Sequence, residues 1–183
     1  MYQKYINIGD KMDNIIIFRN LNANDFKKIY LWCQEVFVYT WFEQRKLSFS
    51  EIKDKYQRKI SEGKQELFII NYNGIDIGLV QIYPFNDSGI FSKNNKKGYE
   101  FDIFIGDKNY LSRGIGKIVI HKICELLFQR ENIDYIILRP FADNTRAVKC
   151  YLKCGFKIIQ EYTDKDTIGN IRKICLMLLE KES

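Results

Sequence analysis

The sequence predicts an α/β protein built on a mixed, mostly antiparallel central sheet of about seven strands, with helices on both faces. Three observations predict it. Runs rich in β-branched residues and runs with apolar residues at helical spacing are mixed along the chain, without the strict alternation of a doubly wound fold. Two of the β-rich runs flank Asn73-Gly74, the pair a two-residue hairpin turn prefers because both positions need positive φ. At 183 residues, with no repeat and no linker, the chain is expected to form one domain over 13–183.

The elements follow in order. Residues 1–12 read as a loose leader, with Met12 as an alternative start. NIIIFRN (14–20) is a β-branched run and an expected strand. NANDFKKIYLWCQ (22–34) sets Phe26, Ile29, Tyr30 and Cys33 at helical spacing behind the candidate caps Asn22 and Asn24. An aromatic stretch follows, with Phe37, Tyr39, Trp41 and Phe42. SFSEIKDKYQRKISEG (48–63) is a second helix, opened by Ser48 or Ser50 and closed by Gly63. The hairpin spans 66–83, a polar loop 84–97, and GYEFDIFIG (98–106) is the next strand. A helix over about 113–130, a strand at 134–141 ended by Pro140, and a short helix over about 144–153 come next. GFKIIQEYT and IRKICLMLLE complete the sheet.

Composition narrows the function classes. No apolar run approaches a membrane span, because charged residues interrupt each one, and the first dozen residues lack the apolar core of a signal peptide. A cytoplasmic protein is expected. The net charge of +6 permits an anionic partner, but the lysines are spread along the chain and only KNNKK (93–97) clusters. Nucleic-acid binding wants bases gathered on one element, so neither nucleic acid nor membrane is an expected partner. The five cysteines have no CxxC spacing and read as reduced, mostly buried thiols. His121, Cys124 and Glu125 stand at i, i+3 and i+4, but nothing else supplies a ligand set, so no metal is expected.

LSRGIGKIVIHKICELLF (111–128) carries the chemistry. A P-loop needs Ser or Thr after its Lys, and Ile118 follows Lys117; a dinucleotide fingerprint needs a third glycine where Val119 stands. What remains is R-G-x-G at a helix N-terminus. That end carries unpaired N–H groups and a positive dipole, a ready anion site, with Arg113 and Lys117 beside it. Glycines that only relieve loop strain are the alternative.

The turn resembles the central Q/R-x-x-G-x-G/A motif of the GNAT superfamily of acyl-CoA-dependent N-acyltransferases, with Leu111 where Gln or Arg is usual. NTRAVKCYLKCGF (144–156) is similar to the family's second signature. GYEFDIFIGDKNYLSRGIG, with Trp32 and the aromatics after it, further resembles the aminoglycoside 6'-N-acetyltransferases, in which Arg139-Pro140 is ordinarily Asp-Pro. The resemblance implies acetyl-CoA as co-substrate. It would be held by Ser112, Arg113, Gly114, Ile115, Gly116 and Lys117, by Ile103, Phe104 and Ile105 of the preceding strand, and by Asn144 and Ala147. It implies Asp102 as catalytic base and Tyr151 as acid, with Trp41, Glu43, Tyr83, Glu100, Asp102 and Arg139 facing a small amine.

The residues by themselves support part of this. Strand alternation puts Glu100, Asp102 and Phe104 on one side and Tyr99, Phe101, Ile103 and Ile105 on the other. Two acids on a solvated sheet face are the plainer account, and Glu100 remains a second candidate base. Tyr151 shares a helix side with Ala147, Val148 and Cys154, so a core tyrosine is equally open. Glu35, Glu43, Asp87 and Glu100 offer carboxylates to a polycation, but spacing does not show that they converge. The expected activity is acetyl transfer to a primary amine, an aminoglycoside 6'-amine first, a polyamine or hydroxylated amine second, by a monomer or homodimer. A CoA-binding module without turnover would have no need of Asp102, Tyr151 and an intact RGIG turn.

Overall fold

The computed structural model describes residues 15–85 and 97–181. The leader, Asp87 and all of the KNNKK run except Lys97 lie outside them. Seven strands form one sheet in the order β1-β2-β3-β4-β5-β7-β6. They are β1 (Ile16–Asn20), β2 (Glu66–Tyr72), β3 (Ile75–Phe85), β4 (Gly98–Ile105), β5 (Tyr135–Leu138), β6 (Lys157–Lys165) and β7 (Ile171–Glu180). Pairing is antiparallel between β1 and β2, β5 and β7, and β6 and β7; β4 and β5 run parallel. The mixed, mostly antiparallel sheet is the expected one. No helix among the described residues is long and apolar enough to cross a membrane.

The chain forms two compact units, 1–81 with 103–111, and 82–102 with 112–183. In the first, the expected helix over 22–34 divides into a 3-10 turn, Ala23–Asp25, and α1 (Phe26–Trp32). Asn22 starts it through a reciprocal capping box with Asp25. The aromatic stretch forms one short helix, α2 (Val36–Tyr39), that periodicity over so few residues does not reveal. Helix α3 (Phe49–Glu62) is capped by Ser48 and Glu51 and closed by Gly63 in the left-handed conformation, as its sequence predicts. These helices bury Phe26, Ile29, Trp32, Ile52 and Tyr56 against Leu67, Ile69, Leu79 and Phe104. The hairpin turn takes φ of 50° at Asn73 and 84° at Gly74, the signs the sequence requires.

One ionic network ties this unit's first strand to its hairpin. Arg19 on β1 donates to both oxygens of buried Asp25, at 2.9 and 2.6 Å, and to Asp76 at 2.6 Å. Lys28 and Asn71 complete the shell of Asp76, at 2.6 and 2.8 Å. Burial raises the acid's pKa, but the bonds from Arg19, Lys28 and Asn71 outweigh it and hold the carboxyl well below the usual range.

The second unit holds β5, β6 and β7 with α4 (Ile115–Phe128) and α5 (Thr145–Lys153). Helix α4 begins two residues later than expected, because Ser112 and Gly114 both take positive φ, 59° and 78°. It buries Ile115, Val119, Ile120, Ile123, Cys124 and Leu127, while His121 and Glu125 are exposed. Cys124 thus points away from the other two members of the triplet, and no group of three metal-ligating side chains occurs among the described residues. Strand β5 is short because Pro140 removes the next ladder donor.

The network makes a pH prediction. A carboxyl whose folded pKa lies below its unfolded value of about 4 stabilises the protein at and above that pH; the contribution is lost as pH falls through the folded value. Asp76→Asn is therefore expected to lower Tm by several degrees at neutral pH, with the gap to wild type closing as thermal melts are taken into strong acid.

Candidate functional site

Strand β4 positions the two acids. It pairs with β5 through Gly98↔Tyr135, Tyr99↔Ile136 and Glu100↔Ile137, and β5 ends one residue later. Residues 101–105 therefore run on with no β5 partner beside them. Asp102, two residues past the last pair, is half-buried; Glu100 is buried.

Glu100 and Asp102 share a face but not a situation. Arg139, just past β5, grips Glu100 with two bonds, Nε to Oε1 and Nη2 to Oε2, both 2.7 Å. The carboxylate is 4% exposed and the guanidinium side chain 44%. Burial pushes the Glu100 carboxyl up, and the bond from Arg139 opposes it; Arg139 itself is raised, first by that bond. A carboxylate held on both oxygens by one guanidinium is a poor base, because taking a proton breaks a charge-assisted pair. Asp102 instead accepts a hydrogen bond from the Tyr83 hydroxyl on β3, 3.1 Å. Burial pushes Tyr83 well above the ordinary phenol value, and the charges of Asp102 and Glu100 push it further, so it remains a donor.

Tyr151 lies on α5, buried, with its ring 6.0 Å from that of Phe156. Phe156 in turn meets Phe101 edge-on at 6.5 Å. These ring contacts link Tyr151 to Phe101, the neighbour of Asp102 along β4. Burial raises its phenol, and the charge of Asp102 raises it further, which keeps the proton on the oxygen. Tyr151 is thus a core residue and a protonated phenol at once. Its helix starts at Asn144, whose side chain accepts from the Ala147 amide at 3.3 Å.

The glycine turn is built for approach. No side chain caps α4 at Gly114. Gly114 needs its glycine for φ, and a Cβ there would meet nothing within 4 Å. Gly116 has an ordinary helical conformation, and its nearest Cβ contact would be Cys150 Sγ at 4.0 Å. Neither protein packing nor strain asks for glycine at 116, so the side chain is missing where the helix's own N–H groups are bare. Ser112, Arg113 and Lys117 are exposed beside it.

The remaining expected site residues fall in the first unit. Glu43 is buried, with Lys55 on both carboxylate oxygens at 2.6 and 2.7 Å, so its charge is paired inside the fold. Trp41 is half-buried after α2, and Glu35 is exposed at the start of that helix. Phe104 buries its ring against Trp32 and Phe42, at 6.1 and 4.7 Å, so its side chain belongs to the core.

One reactive group is not evident from the sequence. Four cysteines are buried, but Cys150 is only half-buried. A hydrogen bond from Cys154, with Arg146, Lys153 and Lys117 nearby, brings its thiol down to about 7. Cys154 also reaches the Lys117 carbonyl at 3.9 Å. The i, i+4 spacing of the two thiols is the one sequence signal for it, and a packing pair explains that spacing equally well.

Known proteins share the fold. A model of the acetyltransferase (GNAT) domain matches residues 22–163. The chain belongs to the GNAT acetyltransferase family. Among curated relatives, an aminoglycoside N(6')-acetyltransferase type 1 from Klebsiella pneumoniae is 24% identical over 160 residues, covering 84% of this chain and 79% of that protein. A spermidine N(1)-acetyltransferase from Vibrio cholerae is 25% identical over 172 residues, 91% of this chain and 95% of that one. Among solved structures, an aminoglycoside acetyltransferase in complex with coenzyme A and kanamycin superposes with a TM-score of 0.74 at 20% identity, covering 91% of this chain and 95% of that one. The V. cholerae spermidine N-acetyltransferase, with CoA and spermine, gives 0.74 at 21% identity over 90% and 95%.

The thiol environments carry a prediction about this GNAT chain. Iodoacetamide at neutral pH is expected to label Cys150 first. Cys33 and Cys124, which burial pushes to about 12, should be labelled only after unfolding. Peptide mass mapping of a time course reads the order; fast labelling of Cys33 or Cys124 in the folded protein would contradict it.

Proposed function

We propose that this chain is an acetyl-CoA-dependent N-acetyltransferase, a single catalytic domain over residues 13–183, acting on a primary amine of a small molecule. The observation that carries the mechanism is the presence of two differently held groups. Asp102 is bonded by Tyr83, and Tyr151, held protonated, is linked through Phe156 to Phe101 beside Asp102 on β4.

Acetyl-CoA is the acetyl donor and supplies an activated thioester. Its pyrophosphate fits the bare start of α4 from Ser112 to Lys117, and the resemblance adds the main chain of Ile103–Ile105 and the residues Asn144 and Ala147. The acceptor reaches the protein as an ammonium, which cannot attack a carbonyl until it loses a proton. Asp102 takes that proton, and the Tyr83 bond holds the receiving carboxylate in place. Attack on the acetyl carbonyl forms the C–N bond, and the C–S bond then breaks. Tyr151 gives its proton to the departing sulfur, and the nitrogen, which carries one proton too many for an amide, returns one to the phenolate.

The favoured acceptor is the 6'-amine of an aminoglycoside. The aminoglycoside relative and the likeness of residues 98–156 to that group support it. The spermidine acetyltransferase relative, at equal identity and greater coverage, supports a polyamine as the second reading. A panel of kanamycin, tobramycin and spermidine with acetyl-CoA, followed by free-thiol release, separates them. Turnover of spermidine alone would discard the first.

Two variant sets test the parts. Asp102→Asn is expected to lower kcat by about 10²–10⁴-fold with little change in CoA affinity, and Tyr151→Phe to lower it less. Bulky residues at Gly114 and Gly116 together should weaken CoA binding in calorimetry while circular dichroism stays native. Unchanged affinity in that folded double variant would remove the pyrophosphate assignment.

A further inference from the structure

The charge arithmetic around Asp102 bears on what can stand beside the reacting amine. Glu100 and Asp102 share a face of β4. Arg139 follows β5 by one residue, and its guanidinium holds Glu100, whose face of β4 also carries Asp102. The charges of Asp102, Glu100 and Arg139 all act on the Tyr83 hydroxyl, which itself bonds Asp102, so the four groups form one cluster. Its formal charge is that of one carboxylate, since Arg139 cancels Glu100. Glu100 is enclosed, whereas Arg139 keeps 44% of its side chain exposed. Among the described residues, an accessible neighbour of the base is therefore a cation, stabilised in its charged form by the buried acid beneath it.

We propose that Arg139 forms an acceptor subsite beside Asp102 that takes an oxygen, a hydroxyl or carboxylate of the substrate, and disfavours a second ammonium there. The inference rests on the acetyltransferase reading above and narrows its substrate class. One ammonium is what the reaction needs, and it loses its proton to Asp102. A second ammonium held near the first meets a guanidinium that Glu100 prevents from swinging away, and like charges brought together inside a site are costly. An oxygen at the same place receives N–H bonds from a group that has donors to spare. Tyr162, also in contact with the guanidinium, raises it further and keeps it charged.

The test uses matched acceptors that differ in one group. One set is 4-aminobutanol, 4-aminobutanoate and 1,4-diaminobutane; the other is kanamycin A and kanamycin B, which share the 6'-amine and differ by a hydroxyl or an amine on the same ring. Wild-type kcat/KM is expected to favour the oxygen-bearing member of at least one set by about tenfold or more. Arg139→Gln should erase most of that preference. The double variant Glu100→Gln, Arg139→Gln replaces the ion pair by an amide pair and leaves no buried charge uncompensated; it should erase the preference too, with a native circular dichroism spectrum. Calorimetric titration of the same acceptors into the protein with CoA reads the ratios without turnover. If none is acetylated, the acetyltransferase reading fails for these amines and the binding ratios decide about Arg139 alone. Equal ratios in wild type and both variants, a wild-type preference for the diammonium members, or no binding of any member would overturn the proposal.

Discussion

A carboxylate taken out of water must find a counter-charge or give up its own, and Glu100 is almost completely enclosed in the second unit. Arg139 meets that demand from the point where β5 has just ended, and its two parallel bonds hold the guanidinium at a defined height along β4. Much of the site follows. With Glu100 committed to the pair, Asp102 is the one of the two acids that the proposed mechanism uses as base. With Arg139 committed, the cation nearest that base cannot rotate clear. The same short β5 that places Arg139 leaves the end of β4 without a β5 partner.

The two glycines at the start of α4 answer different requirements. Gly114 takes a backbone conformation that side chains rarely adopt, and glycine there is a matter of φ. Gly116 is helical and spacious, so neither backbone nor packing asks for glycine there, and the proposed pyrophosphate site would use that room. Cys150 is the nearest side chain to that room, and its thiol is lowered first by Cys154 and then by bases that include Lys117 of the turn. Electrostatics favourable to a pyrophosphate are favourable to a thiolate for the same reason.

In the first unit the charged groups are spent on the fold. Asp25 and Asp76 are shared by Arg19 and Lys28, and Glu43 is held by Lys55. The positive net charge of the whole chain is thus compatible with locally neutral interiors. Carboxylates counted from sequence as offers to a polycation cannot be equated with carboxylates left available.

Periodicity, caps and turn chemistry are local, so the element order, the hairpin at Asn73-Gly74, the capped α3 and the anion-ready start of α4 are all legible in the sequence. Strand alternation is local too, and it places Glu100 and Asp102 on one face. The short α2 is not legible, because four residues do not complete enough turns to show a period. The partners of the acids are not legible either. Lys55 lies 12 residues from Glu43, Arg139 lies 39 from Glu100 and Tyr83 lies 19 from Asp102. Pairings at such separations depend on register between strands and on which carboxylate is desolvated, neither of which is a property of any short stretch of chain. It is therefore the fold that neutralises one acid and holds the other ready, because burial and counter-charge are set by what it brings alongside.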